Sequence, residues 1–152
     1  MIALLQRVAQ ASVTIDGRPV AGIGRGLLVF VGVARDDGPA EARRLAERVL
    51  NYRVFPDEAG KMNLSVVDVD GSVLLVPQFT LVADTQSGNR PSFSTGADPE
   101  VGRRLFGLLA EECARRLASV ETGRFGADMQ VGLVNDGPVT FWLEVSAVRN
   151  PG

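Results

Sequence analysis

Two short segments combine residue types that can do chemistry. Pro77-Gln78-Phe79-Thr80-Leu81 sets a proline, an amide and a hydroxyl side by side in or beside a strand. Proline has no N–H, so Pro77 belongs at a sheet edge, a strand start or a bulge. That setting leaves the next N–H groups, of Gln78 and Phe79, free to face a ligand. A pair of fixed donors is what a developing oxyanion needs. The plain alternative is that Pro77 only begins a strand. Asn135-Asp136-Gly137-Pro138-Val139-Thr140 reads as a hairpin turn, and a turn with no further role is the plain alternative there. Glycine lets backbone approach a ligand closely. An X-Pro bond such as Gly137–Pro138 can also be cis for about 0.5–1 kcal/mol. Two carbonyls would then point the same way, able to hold an ammonium group or to block a side chain.

The chain contains no histidine. That excludes Ser-His-Asp and Cys-His nucleophiles and removes the usual ligands of a catalytic zinc. Thr80, Thr140 and Ser92 remain as hydroxyl candidates, and Asp84 and Asp128 as carboxylates. None can be paired with a base from sequence, so each reads first as structural. Cys113 is the single cysteine, so no internal disulfide can form, which fits a reducing compartment. It falls on the apolar side of a helix and reads as an inert core thiol.

A chain of 152 residues, 45% apolar and 22% charged, must position these groups. That is one globular domain with a real core. The opening apolar run is too short for a signal segment, and no stretch approaches a membrane span. Residues 2–15 alternate as a strand. Asp16-Gly17 predicts a tight turn, and Arg18 to Ile23 the returning strand. Leu27 to Val33 is a continuous apolar run, expected as a strand buried on both faces. Ala42, Leu45, Ala46, Val49 and Leu50 share one helix face after Gly38-Pro39. Asp57 to Gly60 is a turn, and Val73 to Val76 a short strand. Residues 84–97 read as a surface loop. Asp98-Pro99 caps a second helix carrying Leu105, Phe106, Leu108, Leu109, Cys113 and Leu117. Met129 to Val134 and Val139 to Val145 read as two last strands split by the Asn135–Pro138 turn. Asn150, Pro151 and Gly152 are expected to fray. The sum is an α+β (α/β layered) domain, a mainly antiparallel sheet with two main helices.

Net charge is −2, so no global field attracts nucleic acid. An RNA partner would need a local patch. Arg43, Arg44, Arg48 and Arg53, or Arg103, Arg104, Arg115 and Arg116, could supply one. The plain reading is solvated helix faces paired with Glu41, Glu47, Glu111 and Glu112.

From Met1 to about Glu144 the chain closely resembles the D-aminoacyl-tRNA deacylases. The shared blocks are Ile2-Ala3-Leu4-Leu5-Gln6-Arg7-Val8, Gly60-Lys61-Met62-Asn63-Leu64-Ser65, Gln78-Phe79-Thr80-Leu81 and Arg90-Pro91-Ser92-Phe93-Ser94. They continue in Thr122-Gly123-Arg124-Phe125-Gly126-Ala127-Asp128-Met129-Gln130-Val131 and Asn135 to Leu143. The resemblance implies a cytoplasmic homodimer, barrel-like when assembled, that hydrolyses the ester at the 3′ end of D-aminoacyl-tRNA and of glycine mischarged on alanine tRNA. It implies no cofactor, no metal and no membrane. It implies that Gly137-Pro138 is cis and enters the partner subunit's site, where its carbonyls occupy the place of an L side chain. Arg7 matches the residue that steadies that loop; Phe125, Met129 and Thr140 match residues near the pocket. Gln78, Phe79 and Thr80 match the catalytic segment. Pro77 stands where that segment usually begins with serine, so main-chain chemistry is favoured over a hydroxyl nucleophile. A related animal deacylase, which clears L-alanine from threonine tRNA, also begins the segment with Pro-Gln. It and a non-enzymatic nucleic-acid-binding module on the same fold are the alternatives.

Overall fold

A computed structural model describes residues 1–147. Asn150, Pro151 and Gly152 lie outside the described residues. Strand β1 (Ile2–Ile15) organises the molecule. One edge pairs along most of its length with β8 (Gln130–Glu144). The other pairs with β3 (Gly26–Gly32) over its first half and β2 (Arg18–Ile23) over its second, all antiparallel. The β1–β2 turn uses Asp16 at φ 50° and Gly17 at φ 75°. Two left-handed residues match the twist of a tight hairpin, which is why Asp-Gly signals one. β6 (Ser72–Pro77) joins β3 in parallel, and β7 (Val120–Thr122) joins β6 in parallel. The sheet is thus mainly antiparallel with a parallel margin. β2 curls back toward β6 and β7, so the sheet nearly closes into a barrel.

β3 is buried on both faces, as its unbroken apolar run predicts. Leu28 packs inside the curl with Val8, Ala11, Val13, Leu74 and Val76. Leu27, Val29 and Val31 face outward, into the layer under α1 (Pro39–Asn51) and α2 (Pro99–Ala114). Ala42, Leu45, Ala46, Val49 and Leu50 are the buried face of α1. Leu105, Phe106, Leu109 and Cys113 are buried on α2. Each fully buried leucine contributes about 1.5–3 kcal/mol. Asp98 caps α2 by accepting the Glu100 N–H at 3.0 Å. β4 (Phe55–Pro56) and β5 (Met62–Leu64) form a small hairpin about the Asp57–Gly60 turn. The Met1 ammonium lies 2.7 Å from the Asp37 carboxylate and donates to the Val145 carbonyl at 2.6 Å. Both charged groups are almost fully buried, a setting that only a close partner makes tolerable. Among the described residues no helix is long and apolar enough to cross a membrane.

Two expectations change. Residues 130–144 are one strand, not two strands about a hairpin. β8 keeps a single direction along β1: Gln6 pairs with Thr140 and Val8 with Asn135, so residues 136–139 bulge out opposite Arg7. Hairpins and bulges draw on the same turn-forming residues. The length of β1, which templates both halves, makes this a bulge. Pro77 does not begin a strand either. It ends β6, and Phe79–Val82 follow as a 3₁₀ turn.

Candidate active site

A cavity of about 600 Å³ lies against the ends of β3 and β6, the start of α2 and the segment between β7 and β8. Val31, Val76, Phe93, Phe106, Phe125 and Met129 give it a largely apolar lining. Pro77, Gln78 and Phe79 line it from the end of β6, and Asp98 and Asp128 are its carboxylates. Phe79 is 65% exposed, with its ring 5.2 Å from that of Phe93. Phe125 is seated by α2: a Cβ on Gly102 would lie 3.2 Å from its ring. The Arg103 guanidinium covers the same ring at 5.2 Å.

The Gln78 N–H is not free, contrary to the sequence expectation. It donates to the Val31 carbonyl at 2.8 Å, because the β3–β6 ladder runs one residue past Pro77. The turn closes by Leu81 N–H to the Gln78 carbonyl at 3.2 Å. The N–H groups of Phe79 and Thr80 lead that turn, ahead of any acceptor within it. The Gln78 side-chain amide donates to the Thr80 hydroxyl. That hydroxyl is an acceptor that orients the amide, and the chain has no histidine to activate it.

The bulge is a second assembly. Arg7 Nε donates to the Asp136 carbonyl at 2.9 Å and Nη1 to the Val54 carbonyl at 2.6 Å. One guanidinium thereby ties the loop to β1 and to the approach to β4. Asn135 closes the loop from inside. Its Oδ1 accepts the Val139 N–H at 2.7 Å, and its Nδ2 donates to the Val139 carbonyl at 3.3 Å and to Thr140 Oγ1 at 3.0 Å. Gly137 sits at φ 152°, and the Gly137–Pro138 peptide is cis. A Cβ on Gly137 would lie 2.6 Å from Val139 Cγ2 and 2.7 Å from the Val139 nitrogen. Only glycine fits there without displacing the chain.

Residues 4–144 match the family model described as D-Tyr-tRNA(Tyr) deacylase. The chain belongs to that family. The D-aminoacyl-tRNA deacylase of Methylococcus capsulatus is 59% identical over 152 residues, covering 100% of this chain and 99% of that one. The D-aminoacyl-tRNA deacylase of Escherichia coli (strain K12 / DH10B) is 58% identical over 145 residues, 95% of this chain and 100% of that one. Among solved structures, the c-Myc DNA unwinding element binding protein superposes with a TM-score of 0.92 at 39% identity, over 97% of this chain and 100% of that chain. A probable eukaryotic D-amino acid tRNA deacylase has a TM-score of 0.84 at 16% identity over 95% and 98% of the two chains, a likeness of fold.

In this member of the deacylase family the candidate residues fall into two sets. Gln78, Phe79, Phe125, Met129 and Asp128 meet at the cavity. Arg7, Gly137, Pro138 and Thr140 meet at the bulge and do not line it. Thr80 reaches the first set through Gln78. Ser92 and Asp84 pair with each other through their backbones in the 84–97 loop, and neither lines the cavity. Cys113 is fully buried, and burial pushes its thiol up to about 12. The carboxyls held below their ordinary range lie outside the cavity lining. Asp57 is lowered by the Asn63 amide and the Lys61 N–H, Asp68 by the Ser65 N–H and hydroxyl. Sequence reasoning missed Asn135 as the inner clamp, and Phe93 and Gly102 as the supports of Phe79 and Phe125. An asparagine opening the bulge was the one available signal; the other two depend on long-range packing.

Proposed function

We propose that the chain, a hydrolase of this family, cleaves the ester of D-aminoacyl-tRNAs and of glycine mischarged on alanine tRNA, releasing free tRNA and amino acid. It acts as a cytoplasmic homodimer in which residues 1–152 form one domain. The observation that carries this reading is 59% identity over the whole chain to a D-aminoacyl-tRNA deacylase.

Water attacks the ester carbonyl, and negative charge gathers on the carbonyl oxygen. The Phe79 N–H, fixed at the head of its turn, receives that charge, and the Gln78 amide orients the ester. One such donor is worth about 10²–10³ in kcat. The bond from the acyl carbon to the 3′-oxygen of the terminal adenosine then breaks, and the adjacent 2′-hydroxyl helps pass a proton from the attacking water to that departing oxygen. No serine is needed at position 77, so Pro77 is compatible with activity.

The bulge supplies chirality. Held by Arg7 and Asn135, the Gly137-Pro138 segment enters the partner's cavity and fills the space an L side chain would need. Selectivity then comes from excluding the wrong form. Two features support the exchange. Gly137 and Pro138 do not line their own chain's cavity. On either side of the bulge β8 leaves Leu133, Val134, Phe141 and Trp142 exposed, an apolar surface suited to a second copy.

The test is release of amino acid from D-tyrosyl-tRNA and L-tyrosyl-tRNA by pure protein, with oligomeric state read by sizing. The D ester is consumed, the L ester spared, and the active species is a dimer. Turnover of L-alanyl-tRNA(Thr) alone would favour the animal-type activity. The neighbour named for binding a DNA unwinding element motivates the other reading, a nucleic-acid-binding module. Binding of tRNA without any turnover would favour it.

A further inference from the structure

The helix arginines that could form an RNA patch are mostly engaged. Arg43 and Arg115 lie 3.9 Å and 3.1 Å from the Glu112 carboxylate. Arg116 donates to Asn51, Arg53 to Asn63, and Arg48 sits over Tyr52. Those of α1 and the end of α2 are thus largely the solvated, paired faces that their neighbouring glutamates suggest.

Arg103 and Arg124 differ chiefly in their place beside the cavity, since Arg44 and Arg104 also lack an ion pair among the described residues. Among the described residues neither has a carboxylate within salt-bridge distance. Both are exposed and both flank Phe125, a wall of the cavity. Arg103 follows Gly102, which also lines the cavity, and its guanidinium is held over the Phe125 ring. Stacking on a ring orders the planar guanidinium and leaves its edge N–H groups available. Those groups match phosphate oxygens in a two-pronged geometry. Arg124 adds a second unpaired cation on the adjoining residue.

The ligand chemistry follows from the proposed function, on which this inference rests. The ester joins the amino acid to a terminal adenosine. With the ester in the cavity, the phosphodiester backbone must leave past its wall. Asp98 and Asp128 also line the cavity, so cations at its wall would offset the repulsion they exert on that backbone. We propose that Arg103, stacked on Phe125, and Arg124 receive the phosphodiesters next to the terminal adenosine of the charged tRNA.

The experiment compares Arg103→Ala, Arg124→Ala and Arg103→Lys with the parent on two substrates. One is D-tyrosyl-tRNA; the other is the D-tyrosyl ester of adenosine, which has no phosphate. Binding of uncharged tRNA is measured alongside, across a salt series. Loss of one charge-assisted contact is expected to lower kcat/KM for the tRNA substrate about tenfold, mostly through KM. The adenosine ester should lose far less. The salt slope of tRNA binding should shrink by about 0.7 for each arginine removed. Arg103→Lys should restore most of the slope but only part of the KM. Arg44→Ala, on α1, is the control that changes neither substrate. An unchanged KM and salt slope would overturn the proposal. So would an equal loss on both substrates, which would make Arg103 only a support for Phe125. If the parent hydrolyses neither ester, the deacylase reading fails, and the tRNA-binding arm still decides whether the arginines hold phosphate.

Discussion

Gly137→Ala tests the bulge most directly. The new Cβ would stand 2.6 Å from Val139 Cγ2 and 2.7 Å from the Val139 nitrogen. The second contact is with backbone, so no change of rotamer relieves it. The φ of 152° adds strain that a non-glycine residue meets at about 1–3 kcal/mol. Opposing it are the Arg7–Asp136 bond, worth about 1.5–3 kcal/mol, and the Asn135–Val139 bonds at about 1 kcal/mol each. Strain and anchors are of similar size. Asp136, Gly137 and Pro138 are exposed, so the loop shifts and the domain stays folded. A midpoint loss of roughly 2–4 °C per kcal/mol sets the scale for stability. If rejection of L substrates rests on the position of this loop, a change of 1.4 kcal/mol in that rejection is about tenfold. The expected result is a fall of at least about tenfold in the ratio of D-tyrosyl- to L-tyrosyl-tRNA hydrolysis, arising mainly from faster L cleavage. A variant that spares the L ester as fully as the parent would refute the reasoning.

Two further perturbations address the chemistry and the core. Thr80→Ala removes one neutral hydrogen bond to Gln78, about 0.5–1.5 kcal/mol. It should therefore keep kcat within about tenfold of the parent; a loss above 10³ with the fold intact would make the hydroxyl catalytic. The Cys113 thiol has an ordinary value of 9.0 and is pushed up to about 12 in the fold, chiefly by burial and then by Glu112. Above pH 9 the unfolded chain sheds this proton and the folded chain keeps it. Stability should thus fall as pH rises from 9 toward 12, by up to about 1.4 kcal/mol per pH unit from this group. Urea denaturation at pH 8 and 10.5 should show a shallower fall for Cys113→Ala, and parallel curves would contradict the assignment.

Much of the frame was legible because it rests on local chemistry. Asp16-Gly17 can hardly do other than turn a hairpin, and the apolar spacing of Ala42 to Leu50 admits one buried helix face. Leu27 to Val33 announced a strand between two layers because no polar residue interrupts it. What escaped the sequence depends on partners far away in the chain. Asn135–Pro138 has the composition of a hairpin turn, and only the reach of β1 past both flanks makes it a bulge. The Gln78 N–H reads as free until Val31, in the neighbouring strand, is seen to accept it. The family likeness named Arg7 and Gly137-Pro138. It did not reveal that Asn135 closes the loop or that Val54 holds the far end of Arg7.

The pairing of Ile2 with Glu144 joins the first strand to the last. During synthesis β1 emerges early and finds β2 and β3 on one edge soon after. Its other edge must wait for β8. At about 5–20 residues per second the delay is roughly 7–30 s. For that time a long strand edge stands open, a template for unwanted pairing. Contacts so distant in sequence also form slowly. Asn135 can close the bulge locally, but the loop lacks its outer anchor before β8 registers on β1, since Arg7, itself held by the Val54 carbonyl, belongs to an element made much earlier. A nascent chain therefore acquires most of its cavity lining before it acquires its loop.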